Sequence, residues 1–77
     1  MRLAVARRTR LLTLHELAQL AGVSPKTINS IERGKSTPAL STIRKLSASL
    51  GVDPMSIDEF RAALEEKEPA PAGRPGR

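Results

Sequence analysis

Cysteine is absent from this 77-residue chain, so neither a disulfide nor a thiolate metal site can be built. Tryptophan and tyrosine are absent as well, and Phe60 is the single aromatic residue. That scarcity argues against modules that stack RNA or single-stranded bases on aromatic platforms. No apolar run approaches the ~18 residues of a membrane span. The start, Met1 to Arg8, is basic but lacks a long apolar stretch and a small-residue cleavage site, so it reads as a helix rather than a signal peptide. A cytoplasmic location is the default expectation. His15 is the only histidine, which leaves no set of metal ligands. No glycine-rich phosphate loop and no Ser-His-acid grouping is present. The expectation is a non-enzyme without cofactor or metal.

Charge is present but unevenly placed. Residues 1–52 hold nine Lys or Arg against only Glu16 and Glu32, a net of +7. Residues 53–77 hold six acids against four bases, a net of −2. A concentrated positive field suits a polyanion, although a basic solvated surface would read the same way from composition alone. The length allows one small domain, whose core is marginal and gains from idealised helix packing or a partner chain.

Helical punctuation is dense and no strand pattern appears. Leu3, Ala6, Arg10 and Leu11 suggest a first helix over about 2–10. Thr13 followed by Glu16 has the form of a capping box and starts a second helix at about 14–21. Its Leu14, Leu17, Ala18 and Ala21 keep helical spacing, and Gly22 ends it. Ser24 and Pro25 form an N-cap and first-turn proline for a third helix over about 24–33, closed by Gly34. A fourth helix, about 40–50, places Leu40, Ile43, Leu46 and Leu50 on one stripe. Asp53-Pro54 and a second possible capping box, Ser56 with Glu59, introduce a fifth at about 57–66. The domain is therefore expected over 1–66. Residues 67–77, rich in Pro, Ala, Gly and Arg, carry no large apolar side chain and are expected to form a disordered tail. The fold class is all-α, a compact five-helix bundle.

Two of these helices are joined by a tight, glycine-containing turn, Ala21-Gly22-Val23-Ser24, as a helix-turn-helix requires. Successive residues turn by about 100° around a helix. Ile28 and Ile31 then share the buried side of the third helix, while Lys26, Asn29, Ser30 and Arg33 lie opposite. That opposite side has no acid and no large apolar residue. It offers a cation, an amide and a hydroxyl, the groups that hydrogen-bond base edges in the major groove.

The chain resembles the Cro/phage-repressor, or XRE-like, helix-turn-helix family, with a compact, lambda-repressor-like five-helix bundle. The resemblance runs from about Leu3 to Ile57. It rests on Arg7, Leu12, Thr13, Glu16 to Ala18, Ala21 to Ser24, Thr27, Ile28, Ile31 to Gly34, Pro38, Leu40, Thr42 and Leu50 to Val52. It implies a domain that binds double-stranded operator DNA, usually as a symmetric homodimer. Pro25, Lys26, Thr27 and Ser30 match positions that face the groove, with Asn29 adjacent. Thr13, Arg33, Lys35 and Ser36 match contacts to the DNA backbone, which position the protein without reading sequence. Arg7 and Glu32 match a pair that joins the first and third helices. Two departures stand out. Leu14 replaces a glutamine that usually fixes a phosphate, so that contact is either weaker here or supplied by the backbone and His15. Pro25 replaces a residue that often reads a base, which shifts base reading to Lys26, Asn29 and Ser30.

Ile57, Phe60 and Leu64 have two readings, as a cover for the end of the core or as a surface that packs against a second copy. The implied function is a transcriptional regulator, a repressor above all, acting at an inverted repeat. An antitoxin that represses its own operon and covers a toxin is a variant of it. A helix-turn-helix that mediates only protein contact is the competing class.

Overall fold

The computed structural model describes residues 1–67. Five α-helices follow in order: α1 (Leu3–Thr9), α2 (Leu14–Ala21), α3 (Pro25–Glu32), α4 (Leu40–Leu50) and α5 (Asp58–Lys67). A single 3-10 turn, Pro54–Ser56, precedes α5, and no strand occurs among the described residues. The all-α expectation holds. Helix α5 runs one residue past the expected domain edge, and residues 68–77 of the expected tail lie outside the described residues.

Local chemistry sets the helix starts. The Thr13 hydroxyl accepts from the Glu16 N–H at 3.1 Å, and the Glu16 carboxylate accepts from the Thr13 N–H at 2.8 Å. This reciprocal box satisfies two N–H groups that the first turn of α2 would otherwise leave unpaired. The Ser24 hydroxyl accepts from the Lys26 N–H at 3.1 Å, with Pro25 in the first turn of α3. The second expected box does not form. The Ser56 hydroxyl donates back to the Asp53 carbonyl, and Glu59 accepts instead from the Leu3 N–H at 2.7 Å. Glu59 thus caps α1, whose own N-cap residue, Arg2, supplies no side-chain bond. The Asp58 N–H also donates to the Met1 carbonyl at 2.7 Å. The acidic start of α5 therefore clasps the start of α1. A local sequence pattern could not reveal this pairing across more than fifty residues.

The helix ends show one departure from the expected chemistry. At the end of α3, Lys35 N–H donates to the Ser30 carbonyl and Gly34 N–H to the Ile31 carbonyl, with Gly34 at φ 72°. This is the Schellman pattern, which needs a left-handed residue. The end of α1 has the same pattern, Leu12 N–H to Arg7 and Leu11 N–H to Arg8. Here the left-handed position is held by Leu11 at φ 59°, with its side chain 89% exposed. Leu11 was expected to continue the apolar stripe of the first helix. The backbone reversal turns it outward instead.

The core collects Leu3 and Ala6 of α1, Leu17 and Ala18 of α2, Ile28 and Ile31 of α3, and Ile43, Leu46 and Leu50 of α4. Ile57, Phe60 and Ala63 close the bundle from the α5 end. Leu40 does not join its expected stripe. It begins α4 with half of its surface exposed. Of the two readings of Ile57 and Phe60, this burial fits the cover for the end of the core: both are 0% exposed within one chain. Leu64 is half-buried and packs against the same core. Burying Phe60 fully is worth about 1.5–3 kcal/mol, which a small core cannot spare.

Two stability changes follow. Leu11→Gly removes left-handed strain without removing core contact, and it should raise unfolding free energy by about 0.5–1 kcal/mol in a urea titration. The Ser47 hydroxyl is buried without a hydrogen-bond partner. Ser47→Ala should therefore be neutral or stabilising, by up to ~1 kcal/mol in the same titration. A loss above that size would show that the hydroxyl is satisfied.

Candidate nucleic-acid interface

Helices α2 and α3 pack against each other across the turn at Gly22 to Ser24. Gly22, at φ 69°, and Val23 both donate to the Ala18 carbonyl, at 2.9 and 3.1 Å. Val23 is half-buried and packs on the core between the two helices. The turn is therefore short, bonded and filled, which fixes the angle at which α3 leaves it.

Ile28 and Ile31 anchor α3, at 0% and 1% exposure. With that side fixed inward, the other side must face out. Lys26, Asn29 and Arg33 are exposed, and Pro25, Thr27 and Ser30 are half-buried along the same helix. Lys35 and Ser36 follow in the exposed loop beyond Gly34. The sequence reading of one buried and one polar face matches this burial pattern. Thr13 is exposed at the start of α2. Its oxygen accepts from Glu16, but its hydroxyl hydrogen remains free to donate outward.

A bidentate ion pair fixes α3 relative to α1. Arg7 Nε donates to Glu32 Oε2 at 2.8 Å and Nη2 to Oε1 at 3.1 Å. Arg7 Nη1 also donates to the Leu12 carbonyl at 3.0 Å. Both side chains are nearly buried, at 11% and 10% exposure. Donating to the Glu32 carboxylate holds the Arg7 pKa above its ordinary value, against the opposing effect of burial and with added help from the carboxylate charge. Arg7 thus stays a cation wherever the protein is folded. The Leu12 contact was not legible from residue types, because any residue offers a carbonyl.

This arrangement decides the electrostatics of the face. Both acids of the basic segment have partners within the chain, the exposed Glu16 in the capping box and the nearly buried Glu32 on Arg7. Arg2 pairs with Glu59 and Arg61 with Asp58. Lys26, Arg33 and Lys35 make none of the ion pairs found among the described residues. Arg10 is a different case. Its guanidinium lies where a Cβ on Gly51 would meet it at 2.7 Å, so it packs over the end of α4.

The two departures from the family pattern also find a place. Leu14 is half-buried and packs on the core, so its side chain is turned from solvent. Pro25 lines an open cleft of about 420 Å³ together with His15, Glu16, Ala18, Gln19 and Val23. His15 was read as a surface residue near the backbone contacts, and the cleft brings it beside the first residue of α3.

An eight-residue helix, a three-residue turn and an eight-residue helix with one polar face define a helix-turn-helix domain. The chain belongs to the XRE-type helix-turn-helix family, a family of DNA-binding transcriptional regulators, and the family pattern matches residues 3–57. It is also similar to an uncharacterized HTH-type transcriptional regulator, RghRB, of Bacillus subtilis (strain 168), at 51% identity over 47 residues. That match covers 60% of this chain and 34% of the relative, so the chain spans about a third of the relative's length. No solved structure matches the chain significantly.

Removing one partner of the Arg7–Glu32 pair leaves a nearly buried charge alone. Arg7→Met should cost roughly 3 kcal/mol of unfolding free energy, and Arg7→Met combined with Glu32→Leu should recover most of that loss. Equal losses in the single and double variants would mean that the pair contributes no coupling.

Proposed function

We propose that this protein is a sequence-specific, double-stranded DNA-binding transcriptional regulator that represses by occluding a promoter. Helix α3 enters the major groove with Lys26, Thr27, Asn29 and Ser30 toward base edges and Pro25 in apolar contact. Thr13, Arg33, Lys35 and Ser36 hold the DNA backbone. The observation that carries this reading is the exposed face of α3, which is free of acid and backed by two buried isoleucines. A groove wide enough for a helix accepts such a face. The family match supports the DNA partner.

The protein acts as a homodimer on an inverted repeat, since two-fold symmetry sets two copies of α3 about one DNA turn apart. The dimer surface excludes Ile57 and Phe60, which the core has consumed. The reading assigns no catalysis and no cofactor to residues 1–66, and places the protein in the cytoplasm. Among the described residues no helix is long and apolar enough to cross a membrane.

Selection from a random duplex pool should enrich an inverted repeat. Lys26→Ala should then lose about 1–3 kcal/mol and relax one base position, while Lys35→Ala should weaken all sequences alike and lower the salt slope by about one. Weak binding without enrichment, steeply dependent on salt, would reduce the activity to nonspecific polyanion contact. No binding at all would favour a protein-interaction module.

A further inference from the structure

We propose that a second copy of this chain docks on the edge formed by the end of α1 and the outer side of α2, with Leu11 of each copy seated in a cleft of the other. The inference rests on the homodimer assigned above and gives that homodimer a surface. Leu11 is the starting observation. It is the one non-glycine residue at positive φ among the described residues, and its side chain is 89% exposed. Glycine would take that backbone conformation without strain, and it would expose no apolar side chain. Leu11 therefore costs the isolated chain twice. Strained residues of this kind persist where a contact uses them.

A receptor for Leu11 lies next to it. Leu12, Glu16, Gln19 and Leu20 line an open cleft of about 360 Å³, and Leu20 is 63% exposed. Leu11 is not among the lining residues, so a chain does not fill its own cleft. A projecting leucine beside an apolar recess is self-complementary, as a two-fold, isologous contact requires.

The charges select the same occupant. Arg8, whose carbonyl accepts from the Leu11 N–H at 2.8 Å, is exposed and makes none of the ion pairs found among the described residues. Glu16 is the only acid lining the cleft. Its Oε1 accepts within the capping box, which leaves Oε2 for a cation from outside. When Leu11 enters the cleft of the other copy, Arg8 arrives beside Glu16 of that copy, and the exchange is reciprocal. No residue of α3 belongs to this edge, so the pairing leaves that helix uncovered.

Sedimentation equilibrium of the full chain without DNA reads the pairing directly, followed by refractive index because tryptophan and tyrosine are absent. Over roughly 10 μM to 1 mM, the range that a small interface needs, wild type should pass from monomer to dimer. Leu11→Gly should weaken pairing by about tenfold or more while the fold becomes more stable, so loss of structure cannot explain the effect. Leu20→Ser and Arg8→Glu should weaken it as well. Leu40→Ser, at an exposed leucine outside this edge, should leave it unchanged. A dimer that Leu11→Gly leaves intact would overturn this surface and keep the homodimer. A wild-type chain that stays monomeric over the whole range would overturn the docking proposal, while selection of an inverted repeat would still decide the DNA-binding reading by itself.

Discussion

A nearly buried arginine joins three parts of this small protein. Arg7 sits on α1, donates twice to Glu32 at the end of α3, and donates once to the carbonyl of Leu12 before α2. Each of these bonds replaces water that burial has removed, and an arginine fork matches a carboxylate in geometry as a lysine cannot. The consequence is orientational. Helix α3 is held at its middle by Ile28 and Ile31 and at its end by Glu32, so its polar face has one direction in which to point. Net stabilisation from such a pair is small, because desolvation offsets most of the attraction. Its value lies in fixing which face of α3 is outside.

Charge economy follows from the same constraint. The basic segment contains only two acids, and each has an internal task. Glu32 is matched against Arg7, and Glu16 closes the first turn of α2. Neither lies on the exposed face of α3. The acids of the C-terminal part do comparable work elsewhere. Glu59 caps α1 and Asp58 pairs with Arg61. The negative residues thus build the scaffold, and the positive residues left over lie at its surface, several of them on or beside α3.

Much of this was legible in the sequence because the controlling signals are local. Thr13 with Glu16, Ser24 with Pro25, and the glycines at 22, 34 and 51 act within one helical turn, so residue type and spacing suffice to place them. The buried face of α3 was legible for the same reason. What failed was non-local or conformational. Glu59 has the spacing of a capping box, yet a partner on α1 lies closer and wins. Leu11 has an apolar side chain in helical register, yet the chain reverses there and turns it into solvent. For Ile57 and Phe60 two readings stayed open, core cover or contact with a second copy, because composition cannot tell a core that is short of area from one that α5 has already filled. Of the site, the face of α3 could be read directly, and the Arg7–Glu32 pair only through family resemblance. The cleft that joins His15 to Pro25 needed the packing of α2 on α3.

The most direct test of this account is a map of backbone amide shifts as unlabelled selected duplex is titrated into isotopically labelled protein. The account predicts that the largest changes fall on Lys26, Thr27, Asn29 and Ser30, with a second group at Thr13 and at Lys35 and Ser36. It also predicts small changes along α5. A pattern centred on α5, or spread evenly over every exposed cation, would contradict the claim that one fixed face of α3 carries the function.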